Sequence, residues 1–171
     1  MPFFVFPVRV YYEDTDHGGV VYYANYLKFM ERSRTEYLRH CGLEQDVLIA
    51  ENDLIFAVRR IETDYLQSAK FNDLLLVTAE IKQKSRVKFV FKQQVFKKPV
   101  LNTGDANLVQ RNGVTDANIS SMSGYFDKIE NIKADSMLLC EAEVTIASLG
   151  ASNMRPKRIP EQIFKELMRE Q

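Results

Sequence analysis

Histidine and cysteine are both scarce in this 171-residue chain, at two apiece. Cys41 and Cys140 stand far apart and form no CxxC pair, so neither a disulfide framework nor a zinc site is expected. His17 and His40 are too few to build a histidine-only catalytic metal centre. Glu13, Asp14 and Asp16 suggest a calcium loop at first sight, but the rest of the EF-hand spacing is missing. Ser121 and Ser123 lie in no GxSxG elbow, which disfavours a serine hydrolase. A bias of charge is missing as well: 23 Lys and Arg balance 23 Asp and Glu, so no global field points to nucleic acid or an acidic membrane. No stretch approaches the roughly 18 apolar residues of a membrane span. The opening residues are apolar but interrupted by Pro2 and Pro7, and they lack the basic lead of a secretory signal. The expectation is a cytoplasmic protein without metal or cofactor, stripped of most of the usual hydrolytic machinery.

What is present suits one globular domain over residues 1–171, since 46% of the residues are hydrophobic and 27% charged. Val8, Val10 and Tyr12 alternate with Pro7, Arg9 and Tyr11, the pattern of an opening strand. A polar turn follows, Glu13-Asp14-Thr15-Asp16-His17-Gly18-Gly19. Tyr23, Tyr26, Leu27, Met30, Ser33, Arg34, Tyr37, Leu38 and Cys41 then recur at three- and four-residue steps, predicting one face of a helix of about five turns. Gly42 offers a left-handed stop, with Arg39 and His40 in the last turn where cations suit the helix dipole. A short connector over 44–51 reads as helical. Residues 54–66 read as a strand with mixed faces, and alternation marks further strands around 74–82, 86–95 and 139–146. Pro160 opens a terminal helix through Ile163, Phe164, Leu167 and Met168. One long helix faced by a single antiparallel sheet is an α+β layout.

Segment 99–138 interrupts that order. It contains a tandem echo, Asp105-Ala106-Asn107-Leu108 and Asp116-Ala117-Asn118-Ile119, too short to form a solenoid. It reads as an insertion in a hairpin, with Tyr125, Phe126, Ile129 and Ile132 forming a short helical patch and the flanking strands meeting near Phe96 and Leu138.

The polar turn is the candidate for chemistry. A carbonyl attacked by a nucleophile or an activated water must be polarised. A helix N-terminus supplies unpaired backbone N–H groups and a positive dipole end, both suited to a developing oxyanion. Asp16 lies just before the helix in a glycine turn that admits close approach of a ligand. By residue type alone such an aspartate is a helix cap.

The block from Tyr11 to Tyr26, YYEDTDHGGVVYYANY, extends as LKFMERSRTE through Glu36. It resembles the hotdog thioesterases, above all the acyl-CoA thioesterases associated with the Tol-Pal system, with 4-hydroxybenzoyl-CoA thioesterases as cousins. The likeness resumes at Glu141-Ala142-Glu143-Val144 and reaches the Pro-Lys-Arg-Ile-Pro segment at 156–160. The resemblance implies a hotdog fold, a long central helix packed on a twisted antiparallel sheet with the insertion added. It implies hydrolysis of an acyl-CoA or acyl-carrier-protein thioester, with Asp16 as nucleophile or general base and the Tyr23 backbone amide at the carbonyl. His17 and Gly18 fall beside the substrate. Where the Tol-Pal group usually has histidine this chain has Tyr23, whose phenol cannot copy that histidine in acid–base work at neutral pH. The resemblance also implies a homodimer or homotetramer with sites between protomers.

Seven basic residues and no acid fill window 82–98. Lys82, Lys84, Arg86 and Lys88 read as one face, either solvated or a site for the coenzyme A phosphates, with Arg59 as a further candidate. Two rival functions remain at this level. A hotdog dehydratase would need His17 as its acid–base group, and a non-catalytic acyl-CoA or acyl-carrier-protein binding module would lose nothing on removal of Asp16.

Overall fold

The computed structural model describes residues 3–98, 124–126 and 136–169. Strand β1 (Phe3–Arg9) leads through a 3-10 turn (Tyr12–Asp14) into helix α1 (Tyr23–His40). Helix α2 (Gln45–Asn52), strands β2 (Leu54–Tyr65), β3 (Leu74–Ser85), β4 (Lys88–Lys97), β5 (Gly124–Phe126) and β6 (Met137–Gly150), and helix α3 (Glu161–Arg169) follow. All pairings are antiparallel, and the sheet order is β2-β6-β4-β3-β1-β5.

α1 lies across β3, β1 and β4 and buries Tyr26, Phe29, Met30, Ser33, Tyr37 and Leu38 against them. Two polar contacts fix its rotation on the sheet: the Ser33 hydroxyl donates to the Val77 carbonyl at 3.1 Å, and Arg34 Nη1 donates to Gln93 Oε1 at 2.6 Å. The helix ends as its sequence requires. Gly42 takes φ +76°, its amide donates to Arg39 O and the Leu43 amide to Leu38 O, a Schellman pair sealed by two buried leucines. One expectation fails at the other end: Tyr23 belongs to the helix but is 60% exposed, and Asn25 takes the buried place beside Tyr26.

β-Bulges explain the mixed faces of β2. Its register shifts between Val58 and Arg60, so Leu54, Phe56 and Val58 share the helix-side face with Ile61, Thr63 and Tyr65. One extra residue inverts the phase of everything after it. A second bulge between Ile81 and Gln83 does the same in β3 and corrects the reading of the basic window. Lys84 lies opposite Phe89 on the helix side and Lys88 projects from the other face, so these cations do not form one face.

The chain leaves β4 and returns in β6 at one place, with Lys97 opposite Met137. Tyr125 and Phe126 correct the expected helical patch. They belong to β5, which pairs Phe3–Val5 along the outer edge of β1. An aromatic pair favours a strand, and the β1 edge supplies unpaired backbone groups to complete it. Ile129, Ile132 and the Asp-Ala-Asn echo lie outside the described residues.

Candidate active site

Two aspartates two residues apart divide the work of the loop before α1. Asp14 is buried; its Oδ2 accepts the Tyr11 amide at 2.8 Å, and its carbonyl accepts both the Tyr22 amide and Asn25 Nδ2 at 2.9 Å. That set ties the 3-10 turn to the first turn of α1. Asp16 is exposed. Its amide and carbonyl close the turn to Val20 and Gly19, and its Oδ1 accepts the Gly18 amide at 2.7 Å. Among the described residues its Oδ2 has no partner. The loop is pinned by the Val21 amide donating to Ala69 O, while the Tyr26 hydroxyl accepts the Ala69 amide.

Glycine is required at two points in this turn. A Cβ on Gly18 would sit 3.1 Å from Asp16 Oδ1 and press on the carboxylate it positions. Gly19 takes φ +73°, a conformation side chains resist.

α1 begins at Tyr23 without a side-chain cap from Tyr22. Among the described residues, no acceptor takes the amides of Tyr23 or Ala24. These are first-turn N–H groups at the positive end of an 18-residue helix, in the loop that presents Asp16. Around them stand exposed aromatic rings: Tyr22 and Tyr23 have centroids 4.6 Å apart, and Tyr65 sits edge-on to both Tyr23 and Tyr26. A hydrogen bond with Tyr23 raises the pKa of Tyr22, and the charge of Asp16 adds a smaller push in the same direction. Tyr22 therefore keeps its proton through neutral pH beside the carboxylate. Sequence reasoning missed Tyr22 and assigned Asp14 no structural role. The polar turn signalled both, but only the fold shows which carboxylate is buried.

The basic candidates lie elsewhere in the protomer. β3 starts at Leu74, opposite Arg9 and next to this loop, whereas Lys84, Arg86 and Lys88 surround its far end, about 30 Å along the strand. Arg86 is committed to α3, pairing with Glu161 and lying 4.7 Å over the Phe164 ring. Arg59 is exposed at the bulge of β2, the strand that forms the open edge of the sheet. His17 is exposed next to Asp16, and Gly18 contacts Asp16 directly. Thus the fold joins Asp16, His17, Gly18 and the Tyr23 amide, and holds Lys84, Arg86 and Lys88 apart from them. Among the described residues there is no group of three or more His, Cys, Asp and Glu able to hold a metal.

The family model of the Thioesterase superfamily matches residues 18–102. The acyl-CoA thioester hydrolase YbgC of Escherichia coli O157:H7 is 34% identical over 163 residues, 95% of this chain and 94% of that protein. The acyl-CoA thioesterase YbgC of Haemophilus influenzae is 47% identical over 98 residues, 57% of this chain and 72% of that one. A probable thioesterase from Bartonella henselae superposes with a TM-score of 0.66 at 27% identity, over 92% of this chain and 99% of that one. The 4-hydroxybenzoyl CoA thioesterase of Pseudomonas sp. strain CBS-3 shares the fold alone, with a TM-score of 0.72 at 16% identity over 97% and 99% of the two chains. With 34% identity to one such hydrolase over nearly the full length of both chains, and with the hotdog layout of α1 on its sheet, this chain belongs to the thioesterase superfamily.

Proposed function

We propose that this thioesterase hydrolyses acyl-coenzyme A esters with Asp16 as its catalytic carboxylate. The observation that carries the reading is the exposed Asp16, held by the Gly18 amide at 2.7 Å in the turn that leads into the unpaired amides of Tyr23 and Ala24. The thioester carbonyl oxygen points at those amides, which take up the negative charge as the carbonyl becomes tetrahedral. As general base, Asp16 takes a proton from water while the new C–O bond forms, and the proton passes to the sulfur as the C–S bond breaks. As nucleophile, its free oxygen attacks the carbonyl, expels the thiolate and leaves an anhydride that water opens. A single turnover in oxygen-18 water tests the nucleophile route: water that opens the anhydride at the aspartyl carbon leaves the first-turnover acid unlabelled and puts the label in Asp16, an outcome the base route does not allow.

Substrate capture completes the reading. Coenzyme A is polyanionic, and Lys84 and Lys88 are the cations proposed for its phosphates, with Arg59 at the open edge as a further contact. Lys84 and Lys88 lie at the opposite end of the sheet from Asp16, and Arg59 lies midway along β2. An antiparallel pairing of two β2 edges about a twofold axis sets the hairpin end of one protomer beside the Asp16 end of the other. Such a homodimer, alone or doubled to a tetramer, also covers an edge that is otherwise open to aggregation. An acyl-carrier-protein thioester presents the same pantetheine arm and is an alternative substrate. Both cysteines are buried and neither is in a disulfide among the described residues, which suits the reducing cytoplasm where these thioesters occur.

A panel of acyl-CoA esters, with a dye that traps the released thiol, tests this function. Turnover of the esters supports it; saturable binding without thiol release would identify a non-catalytic binding module instead. Light scattering on the same sample should give a multiple of the 19.8 kDa chain mass, and an active monomer would contradict the shared site.

A further inference from the structure

A cavity lies between the helices and the sheet, toward β2 and α3. Its volume is about 100 Å³, and it is walled by Leu38, Phe56, Val58, Phe89, Phe91, Ile146 and Leu167 with four polar residues, Glu31, Arg34, Thr35 and Gln45. Arg34 lies eleven residues beyond Tyr23, about 16 Å along α1, so within a protomer the cavity is separate from the Asp16 loop.

Arg34 is the anomaly there. Its residue is 9% exposed, burial lowers its pKa, and no carboxylate lies within 4 Å of its guanidinium among the described residues. Its one hydrogen bond runs from Nη1 to Gln93 Oε1, and Gln93 is itself fixed, donating to Met30 O at 3.0 Å and Thr78 O at 3.1 Å. Among the described residues its other guanidinium nitrogens have no acceptor, and none of them is sealed from solvent, so they open into the cavity. Glu31 favours the charge from the rim but does not pair with it, because its Oε1 accepts the Thr35 hydroxyl at 2.8 Å, and Gln45 Nε2 donates to that hydroxyl at 3.0 Å. A carboxylate that displaces solvent from those nitrogens gains a strong, two-point hydrogen bond where the rest of the side chain is already buried.

The geometry points to a binding site for a carboxylate carried on an apolar body, with Arg34 gripping the carboxylate and Phe56, Phe89 and Phe91 enclosing the chain. Two sources share that chemistry: the free acid released by thioester hydrolysis, and an acyl group that ends in a second carboxylate. The first needs only the cavity. The second rests on the proposed function.

The probes are octanoate and octanol, titrated calorimetrically into the full-length protein and into Lys70→Gln, a change of an exposed cation outside the cavity. Octanoate should bind both proteins alike, about tenfold or more tighter than octanol, with the preference lost in Arg34→Met and kept in part by Arg34→Lys. Equal binding of acid and alcohol, or an acid preference that survives in Arg34→Met, overturns the site. If Arg34→Met fails to fold, carbon-13 carboxyl-labelled octanoate on the unaltered protein decides: a carboxyl pKa held below that of the free acid supports the contact with Arg34, and an unshifted or raised one overturns it. To separate the sources, turnover of suberyl-CoA is compared with that of octanoyl-CoA. An Arg34-dependent preference for suberyl-CoA assigns the site to substrate, whereas octanoate binding without that preference assigns it to product acid.

Discussion

Where β1 hands over to α1 the sheet ends in an exposed carboxylate, bare helix amides and open tyrosine rings, and little of that polarity is used for packing. At the far end the polarity is positive and partly consumed: Arg86 lies on Phe164 and pairs with Glu161, and Lys157 reaches Asn52 O and Asp53 to hold the approach to α3 against the end of α2. The first end offers the chemistry of carbonyl attack, the second the charge that suits a phosphate. A single protomer does not bring the two together. That division gives a physical reason for a shared site, and each of the following changes tests one side of it.

The largest effect is expected in the Asp16 loop itself. Asp14→Ala removes the carboxylate that accepts the Tyr11 amide in a part-buried bond and should destabilise the protein by about 1–3 kcal/mol, with activity falling as the loop loosens. Asp14→Asn keeps an acceptor oxygen and should lose much less, as urea titration will show; equal losses would deny Asp14 its scaffold role. At the other end, replacing both Lys84 and Lys88 by Gln should raise KM for acyl-CoA about tenfold with kcat maintained, while esters of pantetheine alone, which lack the nucleotide phosphates, are unaffected. A parallel rise for the pantetheine ester would show that these lysines do not bind the nucleotide end. Tyr23→His should shift the pH profile or the acyl preference and leave turnover within about tenfold, because the backbone amide survives the change. Inactivation by Tyr23→Phe would transfer the role to the phenol.

Two smaller predictions concern the closed end. Asp53 sits at φ 48° with its carboxylate on Ser152 and Lys157, and the Ser152 amide, ahead of Lys157, holds its pKa below the usual value. A depressed carboxylate contributes stability above the unfolded-state pKa of about 3.9 and loses it as pH falls through the folded value. Asn also tolerates this backbone region, so Asp53→Asn should flatten the fall in melting temperature below about pH 4. An unchanged acid limb would remove Asp53 from the account. The smallest effect belongs to Ser148, whose buried hydroxyl has no hydrogen-bond partner among the described residues. Ser148→Ala should be neutral or stabilising by up to about 1 kcal/mol, and a clear destabilisation would reveal a partner for the hydroxyl.

The two ends also differed in how readily the sequence could be read. α1 was legible because its apolar spacing, its Gly42 stop and the turn before it all act locally, and Asp16 came with that turn. The basic end was obscured by a bulge: one residue inserted between Ile81 and Gln83 turned Lys84 toward the helix side, and alternation alone gives no sign of such a slip. The same holds for β2, whose mixed faces resolve once the shift at Val58 and Arg60 is known. Arg34 was counted among apolar-face residues of α1, and it is buried; that its guanidinium lacks an ion pair depends on Gln93, 59 residues away, and no local pattern encodes that. β5 was unreadable for a similar reason, since Tyr125 and Phe126 become a strand only against the β1 edge.

The central claim is that the carboxylate of Asp16 performs the chemistry, and kcat of purified Asp16→Asn on a good acyl-CoA substrate tests it most directly. Asparagine keeps the shape and an acceptor for the Gly18 amide but cannot accept a proton or attack a carbonyl. The predicted result is a folded protein with KM close to that of the parent and kcat lower by about 100-fold or more. A folded Asp16→Asn protein that turns over at the parental rate would contradict the account.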